Sequence, residues 1–459
     1  MYLKPFFGVM SINVLFAFFF TLSAAPFFSA TSWAQQKFSN EKIETGISDK
    51  TSKIGEKGAT GVITLKDAIS CVLLKNPELG ALSLEIRSQE ARILQAGLFP
   101  NPEIEFETEN WGGSGDFRSF DSAETTLQLS QLIELGGKRS KRKKIASYER
   151  DLAGWDYESK RADVLTEAAK TFVDVLAAQE RLALAEEHVE LAQKILDTVS
   201  ARVKAGKVSP VEETRAGVTF SISRIALQQA KQKLATSRRQ LAATWGEKTP
   251  LFENVTGELD VIRPVPPITE IEVLISRNPD IARWDTVMEQ RRANLALEKV
   301  GRIPDPTISL GARKFNETED NAFILAVSIP IPVFNRNQGD SLKARHRLSK
   351  AAKDHQTARM MVFNDLAEAY QALSNSHFEA TTLKAEILPG AQSAFKAVQE
   401  GYQQGKFDYL GLLDSQRTMF EVRARYIETL RLYHKAVADV ERLIGTGLHT
   451  LTRTLEKKS

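Results

Sequence analysis

A single cysteine, Cys71, leaves no material for an intrachain disulfide framework. Six histidines are scattered through 459 residues. No two of them sit at ligand spacing beside a Cys or acid cluster, which argues against metal storage or a stable metal site. His346 and His355, nine apart, read as surface residues of a polar helix. Neither sign of charge dominates: 61 Lys and Arg against 58 Asp and Glu leave a formal +3, so bulk electrostatics does not point to nucleic acid as a partner. No Gly-x-Ser-x-Gly, His-Glu-x-x-His or phosphate-binding loop is present, so the chain reads as no enzyme and calls for no cofactor.

Long apolar runs are absent except at the start. Lys4 supplies a charge, residues 6–28 are mostly apolar, and Ser32-Trp33-Ala34 puts small residues at −3 and −1 before Gln35. This predicts a signal peptide over 1–34; the run is also long enough for a transmembrane anchor. No lipobox precedes Cys71. Export with one thiol fits a periplasmic or outer-membrane protein. Residues 35–62 are polar and lack a period, and are expected to form a disordered leader.

What the chain does have is a 3-4 heptad alternation. Val175, Ala178, Leu182, Ala185, Val189, Ala192, Leu196, Val199 and Val203 form an unbroken seam. A 3.5-residue repeat makes a helix supercoil around a partner, and the small second members allow close approach. The code stops at residues 204–210 and returns in Phe220, Ser223, Leu227, Ala230, Leu234, Ser237 and Leu241, giving a long antiparallel hairpin with a tight tip. Upstream, Thr64 and Asp67 read as a helix N-cap and its N3 acid. The helix they start runs to about residue 98, with Asn76-Pro77 kinking or interrupting it.

After Pro100-Asn101-Pro102 the period becomes two. Glu103, Glu105, Glu107 and Glu109 share one strand face; Ile104, Phe106 and Thr108 share the other. A Gly/Ser/Asp-rich loop leads to a second strand with Thr125, Leu127 and Leu129 on one face. One apolar and one polar face suits a transmembrane barrel strand, though a hairpin on a soluble core reads the same way. Six of the seven residues over 138–144 are basic. Without interleaved aromatics they read as solvated helix surface or as a contact for phospholipid head groups. From about 141 to 203 the chain can be one helix on the order of 95 Å long.

Proline-rich residues 249–272 read as a linker. The chain then repeats itself at a spacing close to 200 residues. Asn278-Pro279 repeats Asn76-Pro77, and Pro304-Asp305-Pro306 repeats Pro100-Asn101-Pro102. Strands at about 307–314 and 322–329 repeat those at about 103–110 and 124–132. Leu366, Ala369, Leu373, Ser376, Ala380, Leu383 and Ile387 repeat the seam, and Pro389-Gly390 is expected to break this second long helix. The halves are thus 63–248 and 273–445, with helical hairpins at 141–245 and 340–443 and a tail at 446–459. The fold class is mainly α with a small β part, a duplicated helix–β-hairpin–long helical hairpin. Four strands cannot close a membrane barrel, since the smallest have about eight, and open edges are not tolerated in lipid. The strands must therefore close with those of other copies.

With this layout the chain resembles the TolC-type outer-membrane efflux factors. The resemblance covers nearly everything after the leader. Arg202-Val203-Lys204-Ala205-Gly206, with Glu212 beyond, matches the family's first tip pattern. Tyr402-Gln403-Gln404-Gly405, then Leu412-Leu413-Asp414, matches its second, with Gly411 where the best-known member has a further acid. The resemblance implies a homotrimer: three copies of four strands make a 12-stranded outer-membrane β-barrel, continued by a periplasmic α-helical coiled-coil barrel. It also implies outer-membrane lipid around the barrel, a periplasmic adaptor (membrane fusion) protein and an inner-membrane RND-type pump. Arg202, Gly206, Lys207, Val208, Ser209, Gly405, Lys406, Phe407 and Asp408 would be the adaptor-docking tips, and Glu212 and Asp414 would lie at the channel entrance. Residues 133–139, Ile-Glu-Leu-Gly-Gly-Lys-Arg, resemble the cobalt–zinc–cadmium resistance branch and imply divalent metal cations as cargo. Drug or protein export by a sister branch is the alternative, and a soluble periplasmic coiled-coil adaptor a more distant one. Carboxylates facing hydrocarbon would be costly, so Glu103, Glu105, Glu107 and Glu109 are expected in the lumen or at the barrel's periplasmic foot.

Overall fold

In the computed structural model, which describes residues 60–448, the first element is a strand, β1 (Gly61–Thr64), paired in parallel with β4 (Phe252–Thr256). This corrects two expectations. The leader does not extend to 62, and 249–272 is more than a linker. Ile63 and Val255, each 3% exposed, join one core with Phe252 and Trp245. The polar residues around these short strands conceal them, and parallel pairing across such a distance leaves no local signal. The segments read as signal peptide and most of the leader, and the tail past 448, lie outside the described residues.

Helix α1 (Leu65–Lys75) opens with the expected capping box. Thr64 N–H donates to Asp67 Oδ2 at 2.9 Å, and Asp67 N–H donates to Thr64 Oγ1 at 3.3 Å. Asn76 separates α1 from α2 (Pro77–Ala96): its side chain accepts from Leu79 N–H at 3.0 Å, and Pro77 takes the first helical position. In the second half, α5 (Ile268–Glu272) precedes α6 (Pro279–Val300), where Asn278 accepts from Asp280 N–H at 2.8 Å.

Each asparagine does a second job. Asn76 Nδ2 donates to the Thr244 carbonyl at 2.7 Å, and Asn278 Nδ2 donates to the Leu443 carbonyl at 3.0 Å. Both carbonyls lie at the end of a returning hairpin arm. The repeated Asn-Pro thus pins the end of each hairpin to the start of a neighbouring helix. Asn278 is fully buried. Asn278→Ala should leave the Leu443 carbonyl unpaired and cost about 1–3 kcal/mol. An unchanged denaturation midpoint for this variant would contradict the pinning role.

The long arms are α3 (Lys138–Lys204, 67 residues) with α4 (Pro210–Ala243), and α7 (Gln338–Thr382) with α8 (Leu388–Gln403) returning as α9 (Tyr409–Ile444). At 1.5 Å per residue α3 is about 100 Å long. Contrary to the expected break at Pro389, the second arm runs on and carries a π turn, Leu383–Ile387. The wider turn absorbs the missing proline N–H, and the helix continues. Along α3, Val175, Ala178, Ala192 and Val199 are buried as the heptad predicts. The single seam is only half of the packing. Leu184 and Ile195 lie in a second buried row with Phe420 and Leu412 of α9. Charges flank this row: Asp174 accepts from Arg431 at 2.8 Å and Lys435 at 2.7 Å, and Glu187 from Arg423 at 2.6 Å. Glu428 and then Asp174 hold the Arg431 guanidinium well above its ordinary range.

The remaining strands, β2 (Glu103–Glu109), β3 (Glu124–Leu132), β5 (Thr307–Phe315) and β6 (Asn321–Ser328), form one antiparallel sheet in the order β2-β3-β5-β6. The two repeats meet at its centre, between β3 and β5. Among the described residues no helix is long and apolar enough to cross a membrane, which says nothing of strands.

Candidate functional site

The sheet's register sorts its faces. Ile104, Leu129, Leu310 and Leu325 align in one row, and Phe106, Leu127, Ala312 and Phe323 in the next. These side chains belong to one face, and the described residues leave it uncovered: Ile104 is 76% exposed and Phe323 93%. A soluble protein rarely exposes so continuous an apolar surface. On the opposite face Glu103 aligns with Ser130 and Ser309, Glu105 with Gln128 and Gly311, and Glu107 with Thr126 and Arg313. The four glutamates are all exposed there.

Sequence reasoning missed the cation among them. Arg313 Nη1 donates to Glu124 at 2.9 Å, its Nε to Thr126 Oγ1 at 2.9 Å, and its Nη2 lies 3.5 Å from Glu109. The acids are therefore unequal: Glu109 has a positive neighbour, while Glu103, Glu105 and Glu107 make no ion pair among the described residues. Alternation puts Arg313 on the polar face of its strand, but it does not say which glutamate lies across two strands from it.

At the sheet's other end lies the 133–139 motif, which builds a corner. Leu135 N–H donates to Asp305 Oδ1 at 2.8 Å, and Lys138 Nζ donates to Asp305 Oδ2 at 2.7 Å and the Ile303 carbonyl at 2.6 Å. Arg142 grips Glu134 with both terminal nitrogens. Gly136 takes a left-handed φ of 68°, which favours glycine, and a Cβ there would also crowd Ile303 Cδ1 at 2.9 Å and Val300 Cβ at 3.3 Å. The motif joins β3 and α3 of one repeat to the loop before β5 of the other. The arrangement clamps chain segments together and does not resemble a metal site; among the described residues no group of three or more His, Cys, Asp or Glu is placed to hold an ion.

The two tips, at the far end of the hairpins, share one geometry. Gly206 (φ 67°) donates to the Val203 carbonyl and Lys207 N–H to the Arg202 carbonyl, both at 2.9 Å; Gly405 (φ 76°) donates to Tyr402 at 3.0 Å and Lys406 N–H to Gly401 at 2.8 Å. Each is a 5→2 plus 6→1 helix stop that needs a left-handed residue. Ser209 and Asp408 then cap the returning helices. Asp408 accepts from Gly411 N–H at 2.9 Å. Lys207, Ser209, Lys406 and Asp408 are exposed, Val208 is half-buried, and Phe407 is half exposed with its ring over Gly401.

Arg202 does not point outward. Its Nη1 donates to the Tyr402 carbonyl at 3.1 Å and its guanidinium lies 4.5 Å from that ring's centre, so it links the tips to each other. Tyr409, in edge contact with Tyr402, is buried, and burial pushes its phenol up. Glu212 is half-buried, with one enclosed carboxylate oxygen that has no hydrogen-bond partner among the described residues, whereas Asp414 is exposed. Around the tips Val211 and Leu410 are exposed, an apolar contribution the tip motifs did not signal. Val211 opens a stripe on the outer side of α4 with Val218, Ile222 and Ile225, each more than half exposed. His346 is exposed as expected, but His355 stacks on Trp284 at 5.9 Å.

Comparison with known proteins bears on this geometry. The profile described as outer membrane efflux protein matches residues 68–247 and again 271–446. The cobalt-zinc-cadmium resistance protein CzcC of Cupriavidus metallidurans is 35% identical over 422 residues, covering 92% of this chain and 98% of the relative. The cation efflux system protein CusC of Escherichia coli K12 is 23% identical, covering 80% and 85%. A crystal structure of CusC superimposes with a TM-score of 0.72 at 18% identity, over 84% of this chain and 94% of that one. The outer membrane protein VceC from Vibrio cholerae gives 0.67 at 15% identity, over 84% and 96%. At these identities the structures speak to the fold alone.

Proposed function

We infer function from the premise that this chain belongs to the outer membrane efflux protein family. It acts as the outer-membrane channel of a tripartite efflux system, a passive exit duct that reaches into the periplasm. Three copies close the barrel, a periplasmic adaptor docks on the tips, and an inner-membrane pump drives divalent heavy-metal cations through it. The observation that carries this reading is the four-stranded sheet: one face is apolar and uncovered, and β2 and β6 are open edges. Lipid tolerates neither an open edge nor four strands alone. The stripe on α4 supports the same assembly, because it has helical spacing and no partner among the described residues. The metal cargo rests on similarity to a cobalt-zinc-cadmium resistance protein and on the acidic strand face.

Two measurements test this. Deletion of the gene should sensitise cells to cobalt, zinc or cadmium and not to a drug panel; sensitivity to drugs alone would reassign the cargo. Ile222→Glu with Ile225→Glu would set two carboxylates in a seam between copies, where charge is strongly disfavoured. Cross-linking in detergent should then show trimers for the parent chain and monomers for the double variant, with helical content kept. A parent chain that yields only monomers or dimers would sink the trimer.

A further inference from the structure

The apolar side of the sheet is short for a membrane band. Two full rows, centred on Leu129 and Leu127, are followed towards one end by Thr108, Thr125, Lys314 and Asn321, which are polar. Towards the other end comes Gln131, Ile308 and Val327. Rows on one face are about 7 Å apart, so the band covers roughly 15–20 Å, against about 25 Å in outer-membrane barrels. The missing height is supplied where the strands leave the sheet next to the 133–139 corner. There Phe99 is 68% exposed, Ile331 82% and Phe334 91%.

Just beyond lie the first two turns of α3 with their six cations. Lys138 and Arg142 turn inward onto Asp305 and Glu134. Lys141 Nζ donates back to the Gly136 carbonyl at 3.3 Å. Arg139, Lys143 and Lys144 make no ion pair among the described residues. The Arg139 guanidinium lies 3.7 Å over the Phe99 ring. Lys143, one turn on, runs its stem past Gly97, at the base of the same apolar corner. These cations do not serve the helix, since positive charge is disfavoured at an N-terminus and α3 has no acid in its first turn.

We propose that Arg139, Lys143 and Lys144, with the exposed ring of Phe99, form a collar that binds anionic phospholipid in the periplasm-facing leaflet and fixes the depth of the barrel. It rests on the exit-duct reading above. Acyl chains lie along Phe99 and the sheet's apolar face, and the phosphate meets the cations directly below. Three cations, Lys138, Lys141 and Arg142, bond to the corner and the other three face the lipid, which accounts for the run of six.

The test uses the full-length protein in mild detergent, with retained lipid counted by native mass spectrometry. The parent chain should keep phosphatidylglycerol at least about tenfold over phosphatidylcholine, and lose the preference at high salt. Joint replacement Arg139→Gln, Lys143→Gln and Lys144→Gln should weaken phosphatidylglycerol retention by on the order of 100-fold. Lys194→Gln with Lys350→Gln, on exposed coiled-coil surface, should leave it unchanged. Equal retention by the triple variant, or no lipid preference in the parent chain, overturns the collar; the second readout needs no substitution. Vesicle flotation separates the two readings. A parent chain that inserts but shows no preference refutes the collar alone, whereas one that inserts into neither lipid refutes the exit duct as well.

Discussion

Tryptophan in place of Gly206 or Gly405 should reduce metal efflux to the level of a deletion, while the protein still folds and assembles. The geometry makes this a test of docking. A Cβ at Gly206 meets nothing within 4 Å, and one at Gly405 meets only Arg202 Nη2 at 4.0 Å. At its Cβ a new side chain therefore meets backbone strain and no collision. The strain of a left-handed non-glycine residue is about 1–2 kcal/mol, small beside the roughly 5–15 kcal/mol of a folded domain. Any larger loss has to come from something outside the chain that approaches the tip. Alanine supplies the control: it carries the same backbone strain without the bulk. Growth on metal should survive Gly206→Ala and Gly405→Ala and fail for the tryptophan variants. If both tryptophan variants supported normal growth, no adaptor would rest on these loops. Arg202 belongs to a different test, because it already binds the Tyr402 carbonyl within the chain; its replacement would loosen one tip from the other.

Much of this architecture was legible because it is periodic. The Val175–Val199 seam, the alternation around Phe106 and the recurrence of Asn-Pro are local patterns, and local backbone geometry converts them directly into faces. What stayed hidden depends on which faces meet. Leu184 and Ile195 fall outside the heptad and gain meaning only against Phe420 of α9, more than 200 residues away. The β1–β4 pair is four or five residues per strand, too short to show a period. Pro389 was read by its usual effect on an α-helix, and a π turn removed that effect. At the candidate site the tip glycines were visible, because only a few backbone conformations end a helix there. The inward turn of Arg202 was not, since an arginine at a tip reads equally well as a docking residue. The stripe on α4 escaped because the inner seam of the same helix had already accounted for its heptads.

The last prediction concerns charge in the duct. Replacing Glu103, Glu105, Glu107 and Glu109 by Gln should lower the cation-over-anion permeability ratio in single-channel recordings. Acidic rings favour cations, and threefold closure would turn each position into a ring of three. The sheet now ranks the four. Arg313 sits between Glu124 and Glu109, so much of the field of Glu109 is already cancelled. Glu109→Gln alone should change little, while the triple variant at Glu103, Glu105 and Glu107 should reproduce nearly the whole effect. A change in local potential of one to two kT corresponds to a roughly three- to sevenfold fall in the ratio. Arg313→Gln should act oppositely and raise the ratio, because it exposes two carboxylates without adding any. Asp414, exposed near the second tip, acts at the other end, and Asp414→Asn should change conductance or its block by divalent cations. Reversal potentials unchanged in both the quadruple variant and Arg313→Gln would remove the electrostatic role of this face. The duct would remain, with the glutamates serving only to keep its wall wet.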